Sequence, residues 1–221
     1  MVCVVSFDCY GTLVDWLYGF GSLFRFLFGD GWRCALDRFL SCEFRFVSSG
    51  VYVSYSDVLR RCFCECFSDF CCEEYCDAVV SLFAKSPPFP DSVIGLRLLR
   101  KLGVKVVIFS NTERRLIEVT LRGLEDLVDL VVTAEDLKCY KPSVECFRRF
   151  LKYINADPGE ILHVSAYPEY DLEPASKLGM RTLLVDRYGR KWSPAVKNIV
   201  EVYEYVKNLL KTGNPSGETG L

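Results

Sequence analysis

The whole chain of 221 residues holds one histidine, His163, and neither sign of charge prevails. Its 27 basic and 29 acidic side chains leave a formal charge of −2. Such a balance supplies no basic surface for nucleic acid and no attraction to an acidic membrane face. The N-terminus, MVCVVSFD, lacks the basic segment and small-residue cleavage site of a secretory leader. The apolar stretch from Leu13 to Phe28 is broken by Asp15, Arg25 and glycines, whereas a bilayer span needs about 20 mostly apolar residues. A cytoplasmic protein with no nucleic-acid or membrane partner is expected.

Cysteine, by contrast, is abundant: twelve residues, eight of them between Cys34 and Cys76. A zinc site does not suit them, because paired C-x₂-C knuckles are absent and His163 lies far away in sequence. Cys62 and Cys66, like Cys72 and Cys76, are spaced i, i+4 and would share one helix face. Packing as small hydrophobes is the expected role. Disulfides are the open alternative, since the cytosol of hyperthermophiles tolerates them.

Five short apolar runs rich in β-branched residues predict buried parallel strands: Val2–Phe7, Val104–Ser110, Leu130–Thr133, Ile161–Ser165 and Thr182–Val185. Helical patterns separate them. Ser92–Leu102 ends at the terminating glycine Gly103, and Ser143–Ile154 follows Pro142. Ser193 and Pro194 read as the start of a last helix carrying Val196, Ile199, Val200, Tyr203 and Val206. Strands alternating with helices imply an α/β fold, a doubly wound, five-stranded parallel Rossmann-like sheet. Residues 16–85 interrupt the alternation with helical spacing and many aromatics, so a helical cap is expected there, inserted between core segments 1–15 and 86–211. The Gly/Ser/Pro-rich stretch 212–221 is expected to be a disordered tail.

The first strand closes on Phe7-Asp8-Cys9-Tyr10-Gly11-Thr12-Leu13-Val14-Asp15. Three further clusters follow in order: Ser110-Asn111-Thr112 at the second strand's end, Tyr140-Lys141-Pro142 before a helix, and His163-Val164-Ser165 leading to Asp171. A carboxylate at a strand's C-terminus points into the crevice where open α/β sheets bind ligands. A lysine opening a helix nearby can hold that carboxylate ionised, and Thr12 can donate to it. Taken together, the four clusters resemble the motifs of the haloacid dehalogenase superfamily, and the Asp-x-Tyr-Gly-Thr form resembles its type II (S)-2-haloacid dehalogenase branch. That resemblance implies a hydrolase with Asp8 as nucleophile, assisted by Thr12, Lys141 and Asp171. Tyr10, Ser110, Asn111 and Ser165 would contact a small anionic substrate.

Position 10 separates two chemistries. Superfamily phosphatases carry a second Asp there, the general acid for a departing alkoxide. A phenol with a pKa of about 10 cannot replace it near neutrality, whereas halide leaves without a proton. Phosphatases also place Gly-Asp where this chain has Ser165-Ala166, an Asp that helps hold Mg²⁺. No metal or other cofactor is therefore expected, and Mg²⁺ belongs only to the phosphatase alternative.

In type II dehalogenases a cap arginine several residues before a Glu-aromatic pair cradles the halide together with the second-motif Asn. Arg38, five residues before Glu43-Phe44, fits that pattern, with Arg33 and Arg45 as rivals. The fourth motif departs from the branch: Tyr167 replaces an Asn, and one extra residue separates Ser165 from Asp171. The aromatics from Trp16 to Trp32 could line the pocket, pack the cap or form the seam of a homodimer. Two other functions stay open: a Mg²⁺-dependent phosphatase of a small phosphorylated metabolite, and a non-catalytic binding protein on the same fold.

Overall fold

The computed structural model describes residues 2–212. One sheet of six strands contains β1 (Val4–Phe7), β2 (Lys105–Ser110), β3 (Leu130–Thr133), β4 (Ile161–Ser165), β5 (Arg181–Val185) and β6 (Ala195–Val196). Their order is β3-β2-β1-β4-β5-β6 and every pairing is parallel. The central strands are mostly apolar because both faces are covered. Val106 and Ile108 belong to one core cluster, whereas Val107 and Phe109 belong to the other. The chain's direction of winding reverses between β1 and β4, and this switch point opens a crevice at their carboxyl ends.

Of the helices between β1 and β2, the first four stand apart from the sheet: α1 (Trp16–Phe28), α2 (Trp32–Val47), α3 (Tyr55–Cys66) and α4 (Glu73–Ala84). They pack on one another as a cap. Phe20 and Phe24 of α1 meet Phe39 of α2 edge-on at 5.6 Å, and Phe24 meets Phe67 at 5.8 Å, so most of the aromatic run is cap core. Tyr18 and Phe26 alone in that run are strongly exposed, at 69% and 77%.

The core helices are α5 (Pro90–Arg100), α6 (Arg114–Thr120), α7 (Ala134–Leu137), α8 (Val144–Ile154), α9 (Glu173–Lys177) and α10 (Ile199–Thr212). α10 begins later than the Ser193-Pro194 pattern predicts, because residues 195–196 add a sixth, edge strand to the expected five. Its start is set by Asn198, whose Oδ1 accepts from Glu201 N at 2.9 Å. Asp91 at the head of α5 also accepts from Ile199 N (2.8 Å) while gripping Arg187 through both carboxylate oxygens. Thr212 belongs to α10, and the rest of the expected tail lies outside the described residues. Among the described residues no helix is long and apolar enough to cross a membrane.

The cysteines correct the packing expectation. Disulfides join Cys42 to Cys62, Cys64 to Cys71 and Cys139 to Cys146, with Cα separations of 5.6, 4.7 and 5.5 Å. Cys62 and Cys66 do share a helix, but Cys62 turns to α2 for its partner and only Cys66 stays a buried thiol. A cross-link over the 20-residue span between Cys42 and Cys62 restricts the unfolded chain and so stabilises the fold by about 3 kcal/mol. Removing the bond with a Cys42→Ala, Cys62→Ala double variant should lower Tm by roughly 6–12 °C. An unchanged melting curve, with reductant also without effect on the parent chain, would show that these thiols are not paired.

Candidate active site

Asp8 follows β1 directly, and its loop is fastened from both sides. The amides of Gly11, Thr12, Leu13 and Val14 donate within the turn, to Val14 O or Cys9 O, and Arg187 donates to Thr12 O. Gly11 has φ +85°, and a Cβ there would sit 2.1 Å from the Tyr167 hydroxyl. Glycine is therefore required twice over, by the left-handed backbone and by the approach of Tyr167.

The four residues expected to be catalytic are brought together. Thr12 Oγ1 donates to Asp8 Oδ2 at 2.8 Å and accepts from Ala166 N at 2.9 Å. Lys141 Nζ donates to Asp8 Oδ1 (3.0 Å), Asp171 Oδ1 (2.6 Å) and Phe109 O (2.9 Å), so its three hydrogens are all used. Lys141 and Asp171 are 1% exposed and Asp8 is 7% exposed. Burial pulls the Lys141 pKa down, but the charges of Asp171 and Asp8 outweigh it and the net shift is upward. Burial lifts the Asp8 carboxyl above its ordinary range, against the pull of Lys141 and with a further push from Asp171. Asp171 is also lifted by burial, yet Lys141 and His163 hold it below the ordinary carboxylate range. Of the two acids, Asp171 is therefore the firmer anion.

His163 heads the fourth sequence cluster without a role there, and the structure gives it one beside Asp171. Its Nε2 meets Asp171 Oδ1 at 2.9 Å and its Nδ1 meets Ser6 Oγ at 2.8 Å. The neutral tautomer protonated on Nε2 satisfies both contacts, with Ser6 donating to Nδ1. Ser6 and His163 are register partners on β1 and β4. A lone histidine in an otherwise apolar buried strand was the available signal, since a buried polar ring needs partners.

Ser110 keeps a buried Oγ with no hydrogen-bond partner at the cavity beside Asp8. Three other expected contacts turn inward. Ser165 is fully buried, donates to Asp171 Oδ2 at 2.9 Å and is not part of the cavity wall. Asn111 lines the cavity, but its amide is engaged twice by the Lys141 backbone, giving to the carbonyl and receiving from N–H at 2.8 Å each. The Tyr10 ring forms part of the wall, stacked on Phe83 at 3.9 Å, while its hydroxyl points to Thr120 Oγ1 at 2.6 Å. Burial raises the Tyr10 pKa well above that of a free phenol, so the group serves as wall and not as acid.

Arg38 is the clear correction. It is exposed and lies over Phe67, 5.8 Å from the ring centre, away from the cavity. On α2 the stripe Asp37, Leu40, Ser41 and Phe44 faces the cavity. Arg38, Cys42 and Arg45 form another stripe, turned by about 100° per residue of offset. That stripe carries the disulfide to α3 and the ion pair of Arg45 with Glu65. The rival Arg33 stacks near Trp32, also exposed. None of the three arginines reaches the cavity.

What the cap does present is Glu43, 7% exposed, with Oε1 accepting from Tyr55 (3.3 Å) and Oε2 from Tyr170 (3.1 Å). Burial, opposed by the two phenols, pushes its pKa up to about 7. Tyr170 reaches it from a π-helical turn, Pro168–Leu172, that also carries Asp171. A π-turn absorbs one surplus residue, which is how the lengthened fourth motif still delivers Asp171 to Lys141.

A divalent cation does not fit this donor set. Both carboxylates already receive the Lys141 ammonium, Asp171 Oδ2 is taken by Ser165, and position 166 supplies only a methyl group. A hard cation calls for several free oxygen ligands.

A parallel sheet with a carboxylate at the end of a central strand, facing a lysine and a second acid under a helical cap, is the architecture of a Rossmann-like α/β enzyme. Residues 46–179 match the haloacid dehalogenase-like hydrolases, and the chain belongs to that family. A (S)-2-haloacid dehalogenase 4A from Burkholderia cepacia is 29% identical over 115 residues, 51% of this chain and 49% of that protein. A glyceraldehyde 3-phosphate phosphatase from Methanocaldococcus jannaschii is 26% identical over 133 residues, 56% of this chain and 58% of that one. The chain thus spans about half the length of these curated relatives. In fold it resembles the L-2-haloacid dehalogenase of Xanthobacter autotrophicus with chloropropionic acid covalently bound, at a TM-score of 0.82 and 17% identity, covering 95% of this chain and 100% of that one.

Proposed function

We propose that the chain is a metal-independent hydrolase that works through an ester on Asp8, in the manner of 2-haloacid dehalogenases. The observation that carries this is the pair of positions 10 and 166, where a phenol turned to Thr120 and a methyl group stand in place of the two acids a phosphatase would use for its proton and its cation. Tyr10, sealed against Thr120, supplies no proton to an alkoxide, so a leaving group stable as an anion suits the site.

In the first step an Asp8 oxygen forms a bond to the substrate carbon, and the carbon–halogen bond breaks with its electron pair leaving on halide. In the second, water adds to the Asp8 carboxyl carbon while Asp171 takes its proton. Lys141 neutralises the oxygen that becomes negative. The acyl–oxygen bond then breaks, the product alcohol takes up a proton, and Asp8 is restored. Ser110, with its unpartnered hydroxyl, binds the substrate carboxylate. His163 and Ser165 orient Asp171 and hold it anionic.

This sequence of bonds predicts where oxygen goes. In a single turnover on 2-chloropropionate in heavy-oxygen water, label should enter the Asp8 peptide and not the product, and chelator should leave the rate unchanged. Label in the product, or phosphatase activity that requires Mg²⁺, would overturn the scheme. The phosphatase relative makes the second outcome the one to look for. A homodimer through the cap, where Tyr18 and Phe26 are exposed, is a separate proposal that sedimentation decides.

A further inference from the structure

The cavity over Asp8 has a volume of about 570 Å³. Ligands of drug size occupy cavities of roughly 300–1,000 Å³, and a short-chain haloacid would leave most of this one to water. Its far wall is aromatic and aliphatic: Phe20, Phe39, Leu40, Leu59 and Phe83 come from cap helices, with Trp16 at the head of α1. Surface of that kind is covered at a gain only by an apolar body. The cap turns two carboxyl groups to the cavity, Asp37 and Glu43, and neither brings a positive charge. At the edge, Arg190 is already paired with Glu169 at 3.3 Å. A second anion on the substrate would therefore meet acids in the cap and no free cation there.

Glu43 gives that apolar wall one polar point. Tyr55 and Tyr170 both donate to it, so the phenolic hydrogens are used and the cluster presents its remaining lone pairs to the cavity. A group that donates a hydrogen bond is the complement.

We infer that the substrate carries an aryl-sized, uncharged apolar body ending in a hydrogen-bond donor, with the body in the aromatic cavity and the donor on Glu43. This rests on the reading of Asp8, Ser110 and Lys141 as the reacting end and names the substrate class that end would serve.

The test uses ligands with no leaving group, so it does not depend on the chemistry at Asp8. Calorimetry on the intact protein would compare propionate, phenylpropionate, and its para-hydroxy and para-methoxy derivatives, alongside uncharged para-cresol and its methyl ether. The phenyl group should tighten binding about 10- to 100-fold over propionate. The para-hydroxyl should add about tenfold over the para-methoxy compound. That last advantage should vanish in Glu43→Met, while the phenyl advantage persists. Equal affinities for propionate and phenylpropionate, or no binding by any compound including para-cresol, would overturn the inference. So would a hydroxyl advantage that survives in Glu43→Met. If that variant does not fold, the hydroxy-to-methoxy ratio in the parent protein decides, and a ratio near one overturns the role of Glu43. Binding of para-cresol but of no acid would uphold the body and remove the carboxylate end instead.

Discussion

Asp8→Asn is expected to lose turnover by roughly 10⁴–10⁶-fold, the scale on which deleting a covalent nucleophile acts, while the protein becomes harder to unfold. The two effects share one cause. Burial raises the Asp8 pKa above that of the unfolded chain. A carboxyl shifted in that direction contributes most to stability below its unfolded pKa, and that contribution is lost as pH rises through the folded value. At neutral pH the ionised side chain is thus a net burden on the fold, offset only in part by Lys141 and Thr12. Asparagine has nearly the same shape, can still accept from Thr12, and carries no charge to bury. Thermal unfolding at neutral and mildly acidic pH checks this: the variant's advantage should shrink as the pH falls toward the ordinary carboxylate range. A variant that melts lower than the parent at neutral pH would show that the Asp8–Lys141 pair is net stabilising.

Lys141→Met should have the largest effect on stability. It would leave Asp8 and Asp171 buried together with no ammonium between them, and breaking a buried pair in this way costs about 3–5 kcal/mol. For a chain of this size that is a fall in Tm of roughly 6–20 °C. In the parent, the depressed pKa of Asp171 contributes stability that is present above its unfolded pKa and lost as pH falls through the folded value. In the variant both acids would be raised by burial and by each other, so the sign reverses and acid should restore stability. Melting temperatures across roughly pH 4–8, above the range in which Asp171 of the parent protonates, would read that gain. A variant whose Tm does not rise as the pH falls would mean that Lys141 is not what holds the two charges.

How far the sequence alone reached follows from what local patterns can report. Asp8, Ser110 and Ser165 are legible at strand ends because apolar runs of β-branched residues mark β1, β2 and β4, and the chain must turn where they stop. Lys141 was placed by Pro142 and the helix after it. In a doubly wound sheet the carboxyl ends of neighbouring strands meet at one edge, so these local assignments sufficed to gather the reacting end.

Cap orientation was not determined in that way. The aromatics of α1 and α2 do not reduce to one apolar stripe, and a helix turned by one residue exchanges Arg38 for Asp37 at the cavity. Which cysteines bond is likewise a matter of distance between elements: Cys42 and Cys62 come together only when α2 crosses α3. In the sequence Glu43 serves only as the marker for Arg38; its own place in the site depends on Tyr55 from α3 and Tyr170 from the π-turn reaching its two oxygens. The sequence alone determined the strand-borne reacting groups because their placement depends on backbone pattern and strand ends. Only the tertiary structure decided the shape and polarity of the pocket above them, because those depend on how helices rotate and pack, which residue spacing along one element does not record.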